Sequence, residues 1–259
     1  MEKTVFITGA GSGIGKSTAE KFAAAGCRLI LCARNEKKIN DLSKSLQALF
    51  HVPVHAFALD VRDKKAVDAA VKCLPEAFSE IDILVNNAGL ALGLEKVQDN
   101  LVSDWEEMVA TNVMGLMYVT RAVLPIMLRR QQGHIINIGS IAGIHAYPNG
   151  AVYCATKAAV KTLSDGLRQD LVETPIRVTN IQPGMTETNF SIVRFHGDTE
   201  RANSVYQGIE PLTGDDIADV IFYTASAPPH VQICEITITP THQATGNVVF
   251  KKICHSHIF

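Results

Sequence analysis

The chain has no C-x-x-C pair among its six cysteines, a single tryptophan and a formal net charge of only -2. It also lacks any unbroken apolar run of the roughly 18 residues that a membrane-spanning helix needs. Each absence excludes something. Cysteines at 27, 32, 73, 154, 234 and 254 are scattered through the sequence, which fits reduced thiols in a cytoplasmic protein better than a disulfide framework. Met1, Glu2 and Lys3 lead straight into a strand-like run, leaving no room for an export signal, and no spanning helix is expected. Near-neutral charge removes the electrostatic reason to expect nucleic acid or an anionic membrane as partner, so any phosphate recognition must be local. In the tail 251–259, Cys254, His255 and His257 cluster without a fourth ligand nearby, and no metal site is expected.

What remains is an ordinary globular composition of 259 residues, 47% hydrophobic and 19% charged, long enough for one large domain over 1–250. Short apolar runs alternate with longer amphipathic ones. Strands are expected at 4–8, 28–33, 54–59, 81–87, 134–140, 176–182 and 233–239, all β-branched or aliphatic and bounded by turn residues. Ala19, Phe22, Ala23 and Gly26 share one helical face, and further helices are expected over 63–74, 101–130, 150–172 and 213–227. The last begins with Thr213 and Asp216 in capping-box spacing. The alternation predicts an α/β fold: a single-domain, Rossmann-like, doubly wound parallel seven-stranded sheet with helices on both faces. The polar stretch 189–210 breaks the rhythm and is expected to form a lid on the substrate side.

Directly after the first strand, "TGAGSGIG" spends four glycines in seven positions, Gly9, Gly11, Gly13 and Gly15. A tight glycine turn entering a helix lets a pyrophosphate approach backbone N–H groups and the positive end of the helix dipole, where any Cβ would hold it away. Gly9, Gly11, Ser12, Gly13, Ile14 and Gly15 are therefore the candidate phosphate cradle. The spacing differs from the usual G-x-G-x-x-G, which indicates a separate branch of dinucleotide binders. The second strand ends in Ala33, Arg34 and Asn35, where sites that prefer NAD carry an acid for the ribose 2′-hydroxyl. A guanidinium there favours a 2′-phosphate, so NADP is the expected cofactor. Asp60 and Val61 close the third strand beside the expected adenine position, and Asn87, Ala88 and Gly89 close the fourth.

Tyr153 and Lys157, four apart, share one face of a predicted helix, and Ser140 closes the strand before it. At this point the sequence resembles the short-chain dehydrogenase/reductase family. "TGAGSGIG", "NNAG", Asn112 of "TNVMG", Ser140, "YCATK" and "PGMTET" stand in that family's order across nearly the whole chain. The resemblance implies that Ser140, Tyr153, Lys157 and Asn112 are the catalytic set, with Asn112 breaking its helix to hold a relay water, and that Pro183, Gly184, Met185, Thr186 and Thr188 contact the nicotinamide. It also implies a tetramer. A phenol that shuttles a proton to a carbinol oxygen works best with a pKa near the operating pH, so Tyr153 is expected to be lowered by Lys157 and the oxidised nicotinamide.

The ending "PPHVQICEITITPTHQATG" lacks the "VDGG" common in the family and is similar to the NADP-dependent 3-hydroxy acid dehydrogenases. That likeness implies oxidation of L-serine, L-allo-threonine, 3-hydroxypropionate and related short acids. Arg194 in the lid segment is the candidate for the substrate carboxylate, against a role as a surface or subunit-contact arginine. A reductase of 3-oxoacyl thioesters and a silent nucleotide sensor are the competing readings. His145 is assigned either to the pocket or to a loop end, and Trp105 to packing.

Overall fold

Burial on both faces is what gives the strands their continuous apolar sequences. The computed structural model describes residues 3–251. Its seven strands, β1 (Thr4–Thr8), β2 (Arg28–Ala33), β3 (Val54–Ala58), β4 (Ile83–Asn86), β5 (Gly133–Ile138), β6 (Ile176–Pro183) and β7 (Glu235–Ile238), form one sheet in the order β3-β2-β1-β4-β5-β6-β7. Every pairing is parallel, with Val5 opposite Leu29 on one side and Ile83 on the other. Alternate side chains serve opposite cores, because successive Cβ atoms leave a strand on opposite faces. Val5, Ile7, Leu29 and Leu31 join one cluster, whereas Phe6, Ile30, Cys32 and Leu84 join the other.

On the first face lie α1 (Gly13–Ala24), α2 (Glu36–Phe50) and α9 (Gly214–Ser226), contributing Phe22, Ile39, Leu46 and Ile221. The second face is covered by α3 (Lys64–Lys72), α5 (Leu116–Arg130) and α6 (Ala151–Asp170), which supply Val67, Val123, Met127 and the C-cap Leu171. The fold is thus a single doubly wound α/β domain, as the alternation predicts. The capping box at Thr213 and Asp216 is present, with both reciprocal bonds.

Three features depart from the sequence expectation. No helix was expected at α2, although Ile39, Leu42, Ser43 and Leu46 are buried at i, i+3, i+4 and i+7. Asn35 caps it, its side chain accepting from Lys38 N at 2.9 Å. The second feature is a helical run, Val102–Arg130, made of α4 (Val102–Val109), a π turn (Ala110–Gly115) and α5. With 29 residues it is long and apolar enough by length and composition to cross a membrane, although Thr111, Asn112 and Arg121 interrupt its apolar run. Here it packs Val119, Val123 and Met127 against the sheet, as the core helix of an α/β domain does. Third, the stretch after β6 contains two short helices, α7 (Phe190–Arg194) and α8 (Thr199–Ser204), turned about His196 and Gly197, both at positive φ. The Cys254, His255 and His257 cluster lies outside the described residues, and among the described residues there is no group of side chains suited to a metal ion.

Candidate functional site

The order of the strands reverses between β1 and β4, and in an open parallel sheet the carboxyl ends on either side of that point form a crevice. Side chains stitch its floor. Thr8 Oγ1 accepts from Asn87 N at 3.1 Å and Ala88 N at 3.0 Å, and Asn87 Nδ2 donates to Thr8 O at 2.9 Å and Gly9 O at 3.1 Å. A crevice of ≈ 600 Å³ opens above.

Nearly every residue singled out in the sequence lines it: Gly9, Gly11, Ser12, Gly13 and Ile14; Arg34 and Asn35; Asp60 and Val61; Asn87, Ala88 and Gly89; Ser140, Tyr153 and Lys157; Pro183, Gly184, Met185, Thr186 and Thr188; and Arg194. Gly15 and Asn112 do not reach the surface of the crevice. Gly15 supports it from beneath, where a Cβ would come 2.4 Å from Asn87 Nδ2 and 2.5 Å from Gly9 O.

The glycine turn fits a dinucleotide. Gly9 has φ +65, and a Cβ there would meet Ala88 Cα at 2.9 Å. Ser12, at the N-cap of α1, makes no side-chain capping bond and the first turn holds no acid, so the donors and dipole of a 12-residue helix remain available to an anion. Arg34 sits beside the glycine turn, just after Ala33, whose Cβ is 3.3 Å from where a Gly11 Cβ would stand, but it is not free. Its Nη1 pairs with Glu107 Oε1 at 2.9 Å, and Arg62 Nη1 reaches the same oxygen at 3.1 Å. Arg62 also forks onto Asp60, which holds the Asp60 carboxyl below its usual range. With half of its side chain exposed, the Arg34 pair is a weak one that a dianionic phosphate can displace.

The candidate reacting residues come together from the end of β5 and from α6. Ser140 follows β5 and receives Ala142 N on its Oγ at 3.1 Å, which orients the hydroxyl. Tyr153 and Lys157 lie one turn apart on α6, Tyr153 9% and Lys157 7% exposed, with Nζ 6.0 Å from the ring centre. Lys157 Nζ donates to Ile138 O at 2.8 Å, and burial lowers its pKa to about 8. The Tyr153 phenol, without the nicotinamide charge that the expectation includes, is shifted upward. Burial first, and then the neighbouring Tyr147, raise its pKa, while the Ser140 hydrogen bond and the Arg194 charge pull it down. In the protein alone it is a firmly neutral phenol, since desolvation disfavours the phenolate.

Asn112 sits in the π turn, so the helix is interrupted there, as expected. Its side chain is committed elsewhere: Oδ1 accepts from Leu90 N at 2.8 Å, and Nδ2 donates to Leu90 O at 2.8 Å and Thr156 Oγ1 at 3.0 Å. Asn112 therefore staples the Gly89–Leu90 loop to α6, and the amide oxygen lies within 3.2 Å of where a Gly89 Cβ would stand.

Arg194 turns into the crevice from α7. Its Nε donates to Gly93 O at 3.0 Å, and its guanidinium carbon is 5.4 Å from the Tyr147 ring centre and 5.8 Å from that of Tyr153. Nη2 is buried without a partner. The surrounding segment is fastened across the opening by Gly93 N to Arg194 O at 2.9 Å, His196 to Asp104 at 3.1 Å and Arg201 to Glu95 at 2.8 Å.

Sequence reasoning missed Tyr147, Phe190, Tyr206, Gln243 and Gly246, which also line the crevice. Tyr147 is held between two glycines, as a Cβ on Gly150 or Gly246 would overlap its ring at 2.1 Å and 2.8 Å. The only available signal was an aromatic flanked by Pro148 and Gly150 just before the Tyr153 helix. His145 is exposed and ends a loop outside the crevice, and Trp105 packs against the cluster around Leu90, Met108 and Tyr153.

Comparison with known proteins agrees with this geometry. A family model described as short chain dehydrogenase matches residues 3–198. An NADP-dependent 3-hydroxy acid dehydrogenase of Schizosaccharomyces pombe is 45% identical over 251 residues, covering 96% of this chain and 97% of that one. A sulfoacetaldehyde reductase of Chromohalobacter salexigens is 48% identical over 245 residues, covering 94% and 96%. Among solved structures, the closed form of a serine dehydrogenase complexed with NADP+ superposes with a TM-score of 0.91 at 41% identity, covering 96% of this chain and 99% of that one.

Proposed function

Because the chain belongs to the short-chain dehydrogenase/reductase family, we propose that it is an NADP-dependent oxidoreductase of short hydroxy acids, acting at the 3-hydroxyl of L-serine, L-allo-threonine or 3-hydroxypropionate. The observation that carries the acid specificity is the buried, unpartnered Nη2 of Arg194 beside the Tyr153 ring. A buried guanidinium N–H without an acceptor favours an anion that can supply one. The short acidic head of the substrate is that anion. NADP is supported by Arg34 at the end of β2, by the absence of an acid there, and by the NADP dependence of the relatives named above.

Each reacting side chain then has a task. Ser140, already oriented by Ala142 N, donates to the substrate oxygen and fixes it in line with Tyr153. Tyr153 gives its proton to that oxygen in the reductive direction and takes it back in the oxidative one. Lys157 keeps a positive charge next to the phenol and lowers the cost of the phenolate. Bound NADP supplies the hydride donor or acceptor for the carbinol carbon. Asn112 holds Leu90 and Thr156 so that Lys157 keeps its place, and any relay water attributed to it would have to use its backbone carbonyl, since its amide is engaged. We extend the proposal to the remaining organisation: 189–210 is the substrate lid, the protein resides in the cytoplasm with Cys27, Cys32, Cys73, Cys154 and Cys234 reduced, and it assembles as a homotetramer. Exposed Val102, Val109, Met114 and Met117 along the long helical run support the last point.

A spectrophotometric screen of NADP and NAD against L-serine, L-allo-threonine and 3-hydroxypropionate, and of NADPH and NADH against the corresponding 3-oxo compounds and sulfoacetaldehyde, tests the reading. Turnover of the free acids with NADP is the expected result. Activity confined to acyl thioesters, or none with any hydroxy acid or its 3-oxo counterpart, would overturn it; preference for sulfoacetaldehyde would keep the anion site and change the acid to a sulfonate.

A further inference from the structure

We infer that Gln243 is a positioning residue: its buried amide fixes the loop Gly184 to Thr188, and through it the C-terminal segment 240–250 sets how well the crevice grips the nicotinamide end of the cofactor. The inference rests on the NADP reading above. The loop leaves β6 without regular secondary structure, so a few long-range bonds define its path. Gly184 N donates to Ile238 O at the end of β7 at 2.7 Å, and Leu212 N donates to Met185 O at 2.9 Å. Met185 N donates to a side chain instead, Gln243 Oε1, at 2.7 Å and 58 positions away in sequence.

Gln243 is well placed to hold that bond. It is 6% exposed, which shields the bond from water, and its own backbone is anchored by Gln243 N to Pro240 O at 3.0 Å and by an antiparallel bridge to Val249. The fit is close, since a Cβ on Gly184 would come within 2.4 Å of Gln243 Oε1. Without this acceptor the half-buried Met185 N–H would lose its partner, and the loop would move to satisfy it. Ser140 Oγ also points to Pro183 O at 3.4 Å, so a shift of the loop reaches the reacting hydroxyl. Three residues beyond, Gly246 lies against the Tyr147 ring, which ties the same segment to the substrate side.

The test compares Gln243→Met, which keeps length and removes the amide, with Gln243→Glu, which keeps an acceptor. NADPH affinity is read by fluorescence titration, kcat and KM by steady-state kinetics, and amide exchange of the peptide spanning 183–188 by mass spectrometry on the ligand-free protein. Gln243→Met should weaken NADPH binding about tenfold, raise KM for NADPH more than it lowers kcat, and speed exchange in that peptide, with Gln243→Glu restoring most of each. Unchanged affinity and exchange in Gln243→Met, or a Gln243→Glu protein as weak as Gln243→Met, would overturn the inference, as would a fall in melting temperature alone. If the wild-type protein failed to bind NADPH, the NADP reading would fall, and the exchange measurement would still decide whether Gln243 holds the loop.

Discussion

Replacing Arg194 by leucine should separate recognition of the acid from chemistry at the hydroxyl. The side chain faces the crevice with Nη2 unpartnered, while its Nε is bound to Gly93 O at 3.0 Å. The backbone bond from Gly93 N to Arg194 O at 2.9 Å survives the substitution and keeps the segment in place. What is lost is a charge-assisted contact to a carboxylate, worth about 1.5–3 kcal/mol, which converts to roughly a tenfold to hundredfold rise in KM at about 1.4 kcal/mol per decade. The assay is initial rates of NADP reduction with 3-hydroxypropionate and with 1,3-propanediol, its neutral counterpart of similar size. KM should rise for the acid only, with NADP affinity unchanged. A KM for the acid within twofold of wild type, or an equal loss on the diol, would refute the assignment.

Tyr153→Phe should remove most of kcat while leaving NADPH binding intact in fluorescence titration; a fully active variant would end the proposed proton transfer. Arg34→Asp should shift selectivity from NADP toward NAD by at least tenfold in kcat/KM, since a phosphate would then face a carboxylate, and unchanged selectivity would show that Arg34 serves only Glu107. Lys157→Met should abolish turnover and alter the pH dependence of stability. Burial lowers the Lys157 pKa from 10.5 to about 8, so the cost of the buried cation, about 3 kcal/mol before its hydrogen bond is counted, is fully present below pH 8 and fades toward 10.5. Relative to the variant, wild-type stability by denaturant titration should therefore be constant below pH 8 and climb above it; a difference that does not change with pH would contradict this account.

Local chemistry was legible and distant chemistry was not. The glycine turn could be read because its residues, the strand before it and the helix after it are contiguous, and the Tyr153 and Lys157 pair because helical spacing fixes their shared face. Asn35 shows the limit: read as a cofactor residue, it is also the cap of α2, and the Asn, Asp and Ser residues within that helix hid its apolar stripe at Ile39, Leu42 and Leu46. Glu107 beside Arg34 and Gln243 beside Met185 are partners 73 and 58 positions away. No periodicity encodes such pairs; they exist only once the strand order brings the elements side by side. The raised Tyr153 pKa of the protein alone was not legible for a related reason, because the packing of Phe190 and Tyr147 around the phenol depends on how the lid and the loop before α6 fold together.

The position of β7 at the sheet margin, last in both space and chain, has a bearing on synthesis. A polypeptide released before Glu235 would possess its glycine turn and its phenol, yet it would lack both β7 and Gln243, so nothing would brace the loop Gly184 to Thr188 and β6 would offer bare peptide groups to any passing strand. Truncation upstream of β7 should thus yield sticky, inert products rather than slightly shortened enzymes.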